Sequence, residues 1–238
     1  MTGTTAPLQS FGQSIETRLA ADLGAAPTHR FADVAEVRNL GGQVTGFVRA
    51  WDGPRLDRAA SLSVTIAPGL RYFNIHVIPD VAYDVPRFLF EGMLMPQGSQ
   101  VSIDLYLDLD LGMHLDYLGT LAGIEAIFKE ARRDSPYPLE PSRLAHMRAI
   151  CSPCFFLVNK VPQDGIALIE RYANRYFDEW LKMFRTGRRL TAAESADRLA
   201  RRNYAGESVI ALDPDRHMIV QVYGEETTCA IERAMILC

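Results

Sequence analysis

The sequence contains no run approaching the roughly 18 consecutive apolar residues that a membrane-crossing helix needs. Residues 1–14 lack both the basic stretch and the apolar core of a secretory leader. A membrane-crossing helix is therefore not expected, and a cytoplasmic location is. No single sign of charge dominates: 25 Lys and Arg against 29 Asp and Glu leave a formal −4, so no global basic field points to nucleic acid. A GxGxxG turn after a strand is missing, as are a phosphate-cradling Walker loop and a clustered His/Cys/Asp ligand set, so neither a dinucleotide, an NTP nor a bound metal is expected. Cysteines are few, at positions 151, 154, 229 and 238. Cys151 and Cys154 have the spacing of a redox pair or half a zinc site, but no second pair completes a zinc site. The apolar run 155–158 that follows them reads as a strand, whereas a thioredoxin-type motif leads into a helix. Structural thiols are the expected reading, and a thiol oxidoreductase is the rival one.

What the chain does have is apolar material for a layered core. At 238 residues and 48% apolar composition it suits one domain, 1–238, of two or three layers. Its centre is the stretch 70–110, which holds three runs, 72–78, 88–94 and 101–109, cut by Pro79, Pro86, Pro96 and Gly98. Aromatic and β-branched content between such breakers predicts consecutive antiparallel strands. Segments 43–51 and 61–67, with turn signals at Gly41-Gly42 and Asp52-Gly53-Pro54, extend the same sheet.

Two carboxylates interrupt these strands. Asp104 splits Ile103 from Leu105, and Glu91 stands between Phe88-Leu89-Phe90 and Met93-Leu94-Met95. Alternation puts Glu91 on one face with Leu89 and Met93, and Phe88, Phe90 and Gly92 on the other. An acid on an apolar face resists ionising, which suits a proton donor at neutral pH. A solvent-facing edge residue or an ion-pair partner is the competing reading for Glu91.

Helical periodicity surrounds the sheet. Leu8, Phe11, Ile15, Leu19 and Leu23 mark a first amphipathic helix, and Met113 to Ile127 a second that ends near Arg133 before Pro136. A third runs from about Pro162 to Arg185, with the broad apolar stripe Ile166, Ile169, Tyr172, Ala173, Tyr176, Phe177, Trp180 and Phe184. A fourth opens on Thr191-Ala192-Ala193-Glu194, a capping box, and reaches Arg202. The last is expected from about Thr227 to Leu237. Lys182, Arg185, Arg188, Arg189, Arg198, Arg201 and Arg202 form a local basic patch, which reads either as a solvated face or as a dock for an acidic partner.

In order, an aromatic-rich strand ending at Ile78-Pro79, then Tyr83-Asp84-Val85-Pro86, then Phe88-Leu89-Phe90-Glu91, then a Gly-containing turn and a strand ending at Asp108, resemble the ferredoxin-dependent bilin reductases and their plant relative, red chlorophyll catabolite reductase. The resemblance covers about 60 residues from Ser61 and thins toward the C-terminus. It implies a three-layer α/β/α sandwich with a central antiparallel sheet flanked by helices. It implies reduction of an open-chain tetrapyrrole of the biliverdin type, with no bound cofactor and with reduced ferredoxin as electron donor, no nucleic acid and no membrane taking part. Glu91 falls where the bilin reductases carry a proton-donating aspartate and the plant enzyme a glutamate. Asn74 falls where the phycocyanobilin-forming reductase has a histidine; it can bond a pyrrole lactam but cannot shuttle a proton as imidazole does. His76 and Phe88 are implied as substrate contacts. Asp213 in Leu212-Asp213-Pro214-Asp215 matches a C-terminal aspartate of several members, although a gap moves that match to Asn203. Arg198, Arg201 and Arg202 are implied as the ferredoxin dock. A pigment carrier that keeps the pocket without turnover is the alternative function.

Overall fold

The computed structural model describes residues 11–237 and is built on one eight-stranded sheet, antiparallel throughout. Its strands are β1 (Ala26–Thr28), β2 (Glu36–Arg38), β3 (Val44–Asp52), β4 (Leu56–Ala67), β5 (Leu70–Pro79), β6 (Arg87–Leu94), β7 (Ser99–Tyr106) and β8 (Phe156–Val161). They lie in the order β1-β3-β4-β5-β6-β7-β8, with β2 also paired to β3. The three central runs are neighbouring strands as expected. The last stops at Tyr106 because Asp108 takes a left-handed φ of 53°, which turns the chain out of the sheet.

Alternation sorts the side chains into two layers. On one face Phe73, Ile75, Val77, Phe88, Phe90, Val101, Ile103, Leu105 and Phe156 are buried under α1 (Gln13–Leu23), α2 (Ala122–Asp134) and α4 (Ile166–Thr186). The apolar stripe of α4 supplies the largest part of this layer. Its Trp180 donates to the Pro86 carbonyl at 2.7 Å, fastening the Tyr83–Pro86 turn to the helix. Of the first helix, Phe11, Ile15, Leu19 and Leu23 are buried, and Leu8 lies outside the described residues. The expected helix from Met113 begins as a 3-10 turn, Leu115–Leu121, and becomes α2 only afterwards.

On the other face Val48, Ala50, Ala60, Leu62 and Val64 pack against Tyr223, Ala230, Ala234 and Met235 of α6 (Arg216–Met235). Helices on both faces of an antiparallel sheet make the expected α/β/α sandwich. Over β5 to β8 this second layer is thinner, made of α3 (Ala145–Ile150) and α5 (Ala192–Leu212), and a cleft remains beneath it.

Both C-terminal helices are longer than expected. The capping box at Thr191 and Glu194 is formed, but α5 continues ten residues past Arg202, to Leu212. Gly206 lies inside it where a Cβ would sit 3.3 Å from the Ile236 carbonyl at the end of α6, a tight contact that alanine would make only if the neighbour gave by a few tenths of an ångström. α6 begins at Arg216 and is broken at Gly224, whose φ of 78° and ψ of 161° are open to glycine at little cost. That break hid the first half of the helix from the periodicity. Its far end is capped by buried Arg58, whose Nε donates to the Ala234 carbonyl at 2.9 Å and whose guanidinium also reaches the Leu237 carbonyl, satisfying the terminal acceptors of α6.

Among the described residues no helix is long and apolar enough to cross a membrane. Cys151 and Cys154 are unpaired in the turn between α3 and β8. Burial raises both thiols, Cys154 to about 12, so neither supplies the thiolate that exchange chemistry needs. Cys238 lies outside the described residues.

Candidate active site

The cleft under α3 and α5 has a volume of about 290 Å³, and its floor is three neighbouring strands in register. Asn74 of β5 lies opposite Glu91 of β6, which lies opposite Ser102 of β7. One step along, His76 faces Leu89, and Leu89 faces Asp104. Side chains of paired residues on one face stand close together, so the register collects the polar residues of three strands.

Glu91 is half-buried and accepts three hydrogen bonds. Ser102 Oγ donates to Oε1 at 2.6 Å, and Tyr72 Oη and Asn74 Nδ2 donate to Oε2 at 3.0 and 3.3 Å. The sequence leads one to expect an acid in apolar surroundings; the structure gives it polar partners on both oxygens. Burial, with Glu91 alongside, drives the Tyr72 hydroxyl well above its usual range, so it stays protonated and donates.

His76 is buried on the same wall. Its Nδ1 lies 2.7 Å from the Met235 carbonyl, and since a carbonyl only accepts, Nδ1 carries the proton. Burial, followed by the Arg87 guanidinium, pushes the ring well below its usual pKa, so it is neutral at pH 7. That leaves Nε2 as an acceptor, buried and without a protein partner, and Asn74 Oδ1 is in the same state. Asp213 lines the opposite side from the α5–α6 turn, with Asp215, whereas Asn203 does not line the cleft. The Asp213 reading of the C-terminal match therefore meets Glu91 across one cavity.

Phe88 does not reach this cleft. It is wholly buried on the opposite face of the sheet, 5.1 Å from the Phe177 ring and 6.1 Å from Trp180. Strand alternation requires this, since 88 and 91 differ by an odd number.

Two of the three arginines expected to form the dock are turned inward. Arg198 and Arg202 are buried, and their i, i+4 spacing turns both toward the end of the sheet. Arg198 donates to Asp84 at 2.6 Å. Arg202 donates to Asp108 at 3.0 Å and to the Pro79 carbonyl at 2.9 Å. Asp108 is shared with Arg87, whose Nε donates to its two oxygens at 2.9 and 3.1 Å. These two α5 arginines face acids of the scaffold and not solvent. Arg201 is exposed and pairs with Asp197 at 2.9 Å, and Lys182, Arg185, Arg188 and Arg189 of the same patch are exposed as well.

Asp104 lies under the site, fully buried, and accepts from the Ser152 hydroxyl at 2.6 Å and the Ser152 N–H at 3.1 Å. It thereby ties down the turn that brings Ile150 and Phe155 to the cleft wall. Burial raises it to about 7 despite these donors. Between about pH 4 and 7 the folded state binds a proton that the unfolded chain has lost, so Asp104 should reduce stability as pH rises through that window, by a few kcal/mol, and leave it flat above. His76 acts in the opposite sense, because the unfolded ring protonates first as pH falls. The difference between wild type and Asp104→Asn isolates the first contribution: urea midpoints from pH 5 to 8 should fall in wild type relative to the variant, and parallel curves would refute it.

A larger groove of about 620 Å³ opens on the other face, beside Phe11, Arg49 and Arg71. Its carboxylate, Glu16, is engaged by Arg49 at 3.1 Å and by Ser61, so size alone does not mark the site. The smaller cleft is the better candidate, because buried acceptors and three acids, Glu91, Asp213 and Asp215, converge there. Sequence reasoning missed Tyr72, Ser102 and Arg87 in it. Alternation from Asn74 gives Tyr72, whereas Ser102 depends on a register that only the paired strands reveal.

The arrangement is that of a sandwich whose helical layer stands off from one half of the sheet to leave a polar-floored cleft. A crystal structure of tomato phytochromobilin synthase in complex with biliverdin has the same overall fold, with a TM-score of 0.81 at 13% identity over 94% of this chain and 81% of that one. At that identity the likeness is one of fold. No family model matches the sequence, and no curated protein does.

Proposed function

We propose that this chain reduces an open-chain tetrapyrrole of the biliverdin type, with electrons from reduced ferredoxin and protons from Glu91 and Asp213. The observation that carries the reading is the row of acceptors on the cleft wall. Asn74 Oδ1 and His76 Nε2 are buried without partners, and buried acceptors left unmet are costly. The ligand that satisfies them must bring N–H donors spaced along its length, as a linear tetrapyrrole does. The shared fold, holding biliverdin in the tomato enzyme, supports the same class.

Reducing one double bond consumes two electrons and two protons, one proton at each atom of the bond. Glu91 delivers one from the floor and is left as a carboxylate facing the three donors it already accepts from. Asp213 delivers the other from the roof. Mixing the protein with biliverdin and then adding ferredoxin, its reductase and NADPH without oxygen should shift the pigment bands to the blue. Binding without conversion would instead support a carrier, and no binding would remove the reading.

With Arg198 and Arg202 buried, the dock for the acidic donor moves to the lip of the cleft. Ser142, Leu144, His146 and Met147 line it there, and Arg143 and Arg148 beside them are exposed, with no ion pair among the described residues. Opposed charge at a rim governs the rate of encounter. Replacing both by glutamate should raise the ferredoxin concentration for half-maximal rate by about three- to tenfold, more at low salt. Arg201→Glu should change it little, and the reverse order would return the dock to α5.

A further inference from the structure

The hydrogen bonds beside Glu91 have a direction. The carboxylate accepts from the Tyr72 hydroxyl at 3.0 Å. With its one proton committed there, the Tyr72 oxygen has only lone pairs left, and Asn74 meets them at 2.9 Å with its Nδ2. The same Nδ2 lies 3.3 Å from Glu91 Oε2, a second acceptor. The amide nitrogen of Asn74 is thus turned toward the protein by two oxygens, and its Oδ1 is left buried, unpartnered and in the wall of the cleft.

We propose that Tyr72 is a specificity-determining residue: by fixing the orientation of the Asn74 amide it makes this point of the cleft an acceptor, so that the site selects a ligand presenting N–H there and rejects one presenting a carbonyl or an alkylated nitrogen. The inference rests on the tetrapyrrole reading and deepens it. An asparagine free to rotate offers either its oxygen or its NH2 and discriminates poorly. An asparagine held by Tyr72 rejects the wrong partner because flipping would set its oxygen against the Tyr72 and Glu91 oxygens and lose two hydrogen bonds. A site built to pair with a polar hydrogen discriminates far more strongly than an apolar one does. Tyr72 lines the cleft beside Glu91 and Asn74, and the part of it that fixes the amide is its hydroxyl.

The test compares biliverdin with a set of biliverdins each methylated on one ring nitrogen, titrated by absorbance into the full-length protein. In wild type at least one methylated form should bind ten or more times more weakly than biliverdin. In Tyr72→Phe that ratio should collapse to within about threefold, because the amide loses the shorter of its two bonds, at 2.9 Å, and keeps only the 3.3 Å contact with Glu91 against turning. A merely structural loss would weaken all ligands alike and leave the ratio standing, which would overturn the proposal. Asn74→Leu, which removes the acceptor while keeping Tyr72, must collapse the ratio as well, and it keeps the test open should the phenylalanine variant fold poorly. If biliverdin fails to bind wild type, the tetrapyrrole reading itself has failed; if it binds and the ratio is one, or survives both variants, the polarity assignment alone has failed.

Discussion

Glu91→Gln is expected to bind biliverdin almost as wild type does and to reduce it about 10²- to 10⁴-fold more slowly, the range for removing one positioned proton donor. The geometry explains why binding and folding should survive. Glutamine keeps one oxygen, which can face Tyr72 and Asn74, and its NH2 can face Ser102, whose hydroxyl rotates from donor to acceptor. The carbonyl-side bonds are retained and the acid is gone. Single-turnover spectra under the ferredoxin system should show pigment bound with its bands unshifted, or halted at a partly reduced species, while the thermal midpoint moves by only a few degrees. Normal turnover would take the proton-donor role from Glu91 and leave Asp213 as the acid to test.

How much of this site the sequence disclosed depends on the range of the relation involved. Relations within one strand were legible. Period-two alternation correctly separates Glu91, Leu89 and Met93 from Phe88, Phe90 and Gly92, and it contradicts the substrate contact that the family resemblance suggested for Phe88. Relations between strands were not: Ser102 meets Glu91 through a register set by the turn around Gly98, and Asp104 meets Ser152 across 48 residues. The arginines of α5 show a different failure. A count of cations between Lys182 and Arg202 describes composition, whereas the four-residue spacing of Arg198 and Arg202 is a statement about one helix face. Only the partners, Asp84 and Asp108, reveal that the face is turned inward. Both partners belong to the stretch on which the family resemblance was read, so its polar landmarks serve the scaffold as well as the chemistry. The extent of α5 and α6 was hidden for a related reason: between Leu190 and Tyr223 no apolar side chain is fully buried, so the apolar stripe that marks a helix in sequence is weak where these two roof the cleft.

The largest effect on stability is expected at Asp108. Its side chain is 2% exposed and faces two guanidiniums, Arg87 and Arg202, themselves 2% and 1% exposed. Removing the carboxylate from such a cluster leaves buried positive charge uncompensated, and losses of about 3–5 kcal/mol are usual for that change. Asp108→Asn should therefore lower the urea midpoint severely although it preserves shape, because its NH2 would point at donors. Asp84→Asn should cost less, since Asp84 is 18% exposed and water can reach the group left behind. Desolvation weighs against each charge separately, so replacing Arg87, Asp108 and Arg202 together by apolar residues of similar volume should cost less than Asp108→Asn alone. A triple variant less stable than the single one would mean that the arginines hold the fold through their other contacts, the Pro79 carbonyl and the Tyr106 ring. The expected order would show that the cluster's attraction does little more than offset its own desolvation. What it would then contribute is placement: it fixes α5 over the end of the sheet, and with it the roof that carries Asp213 toward Glu91.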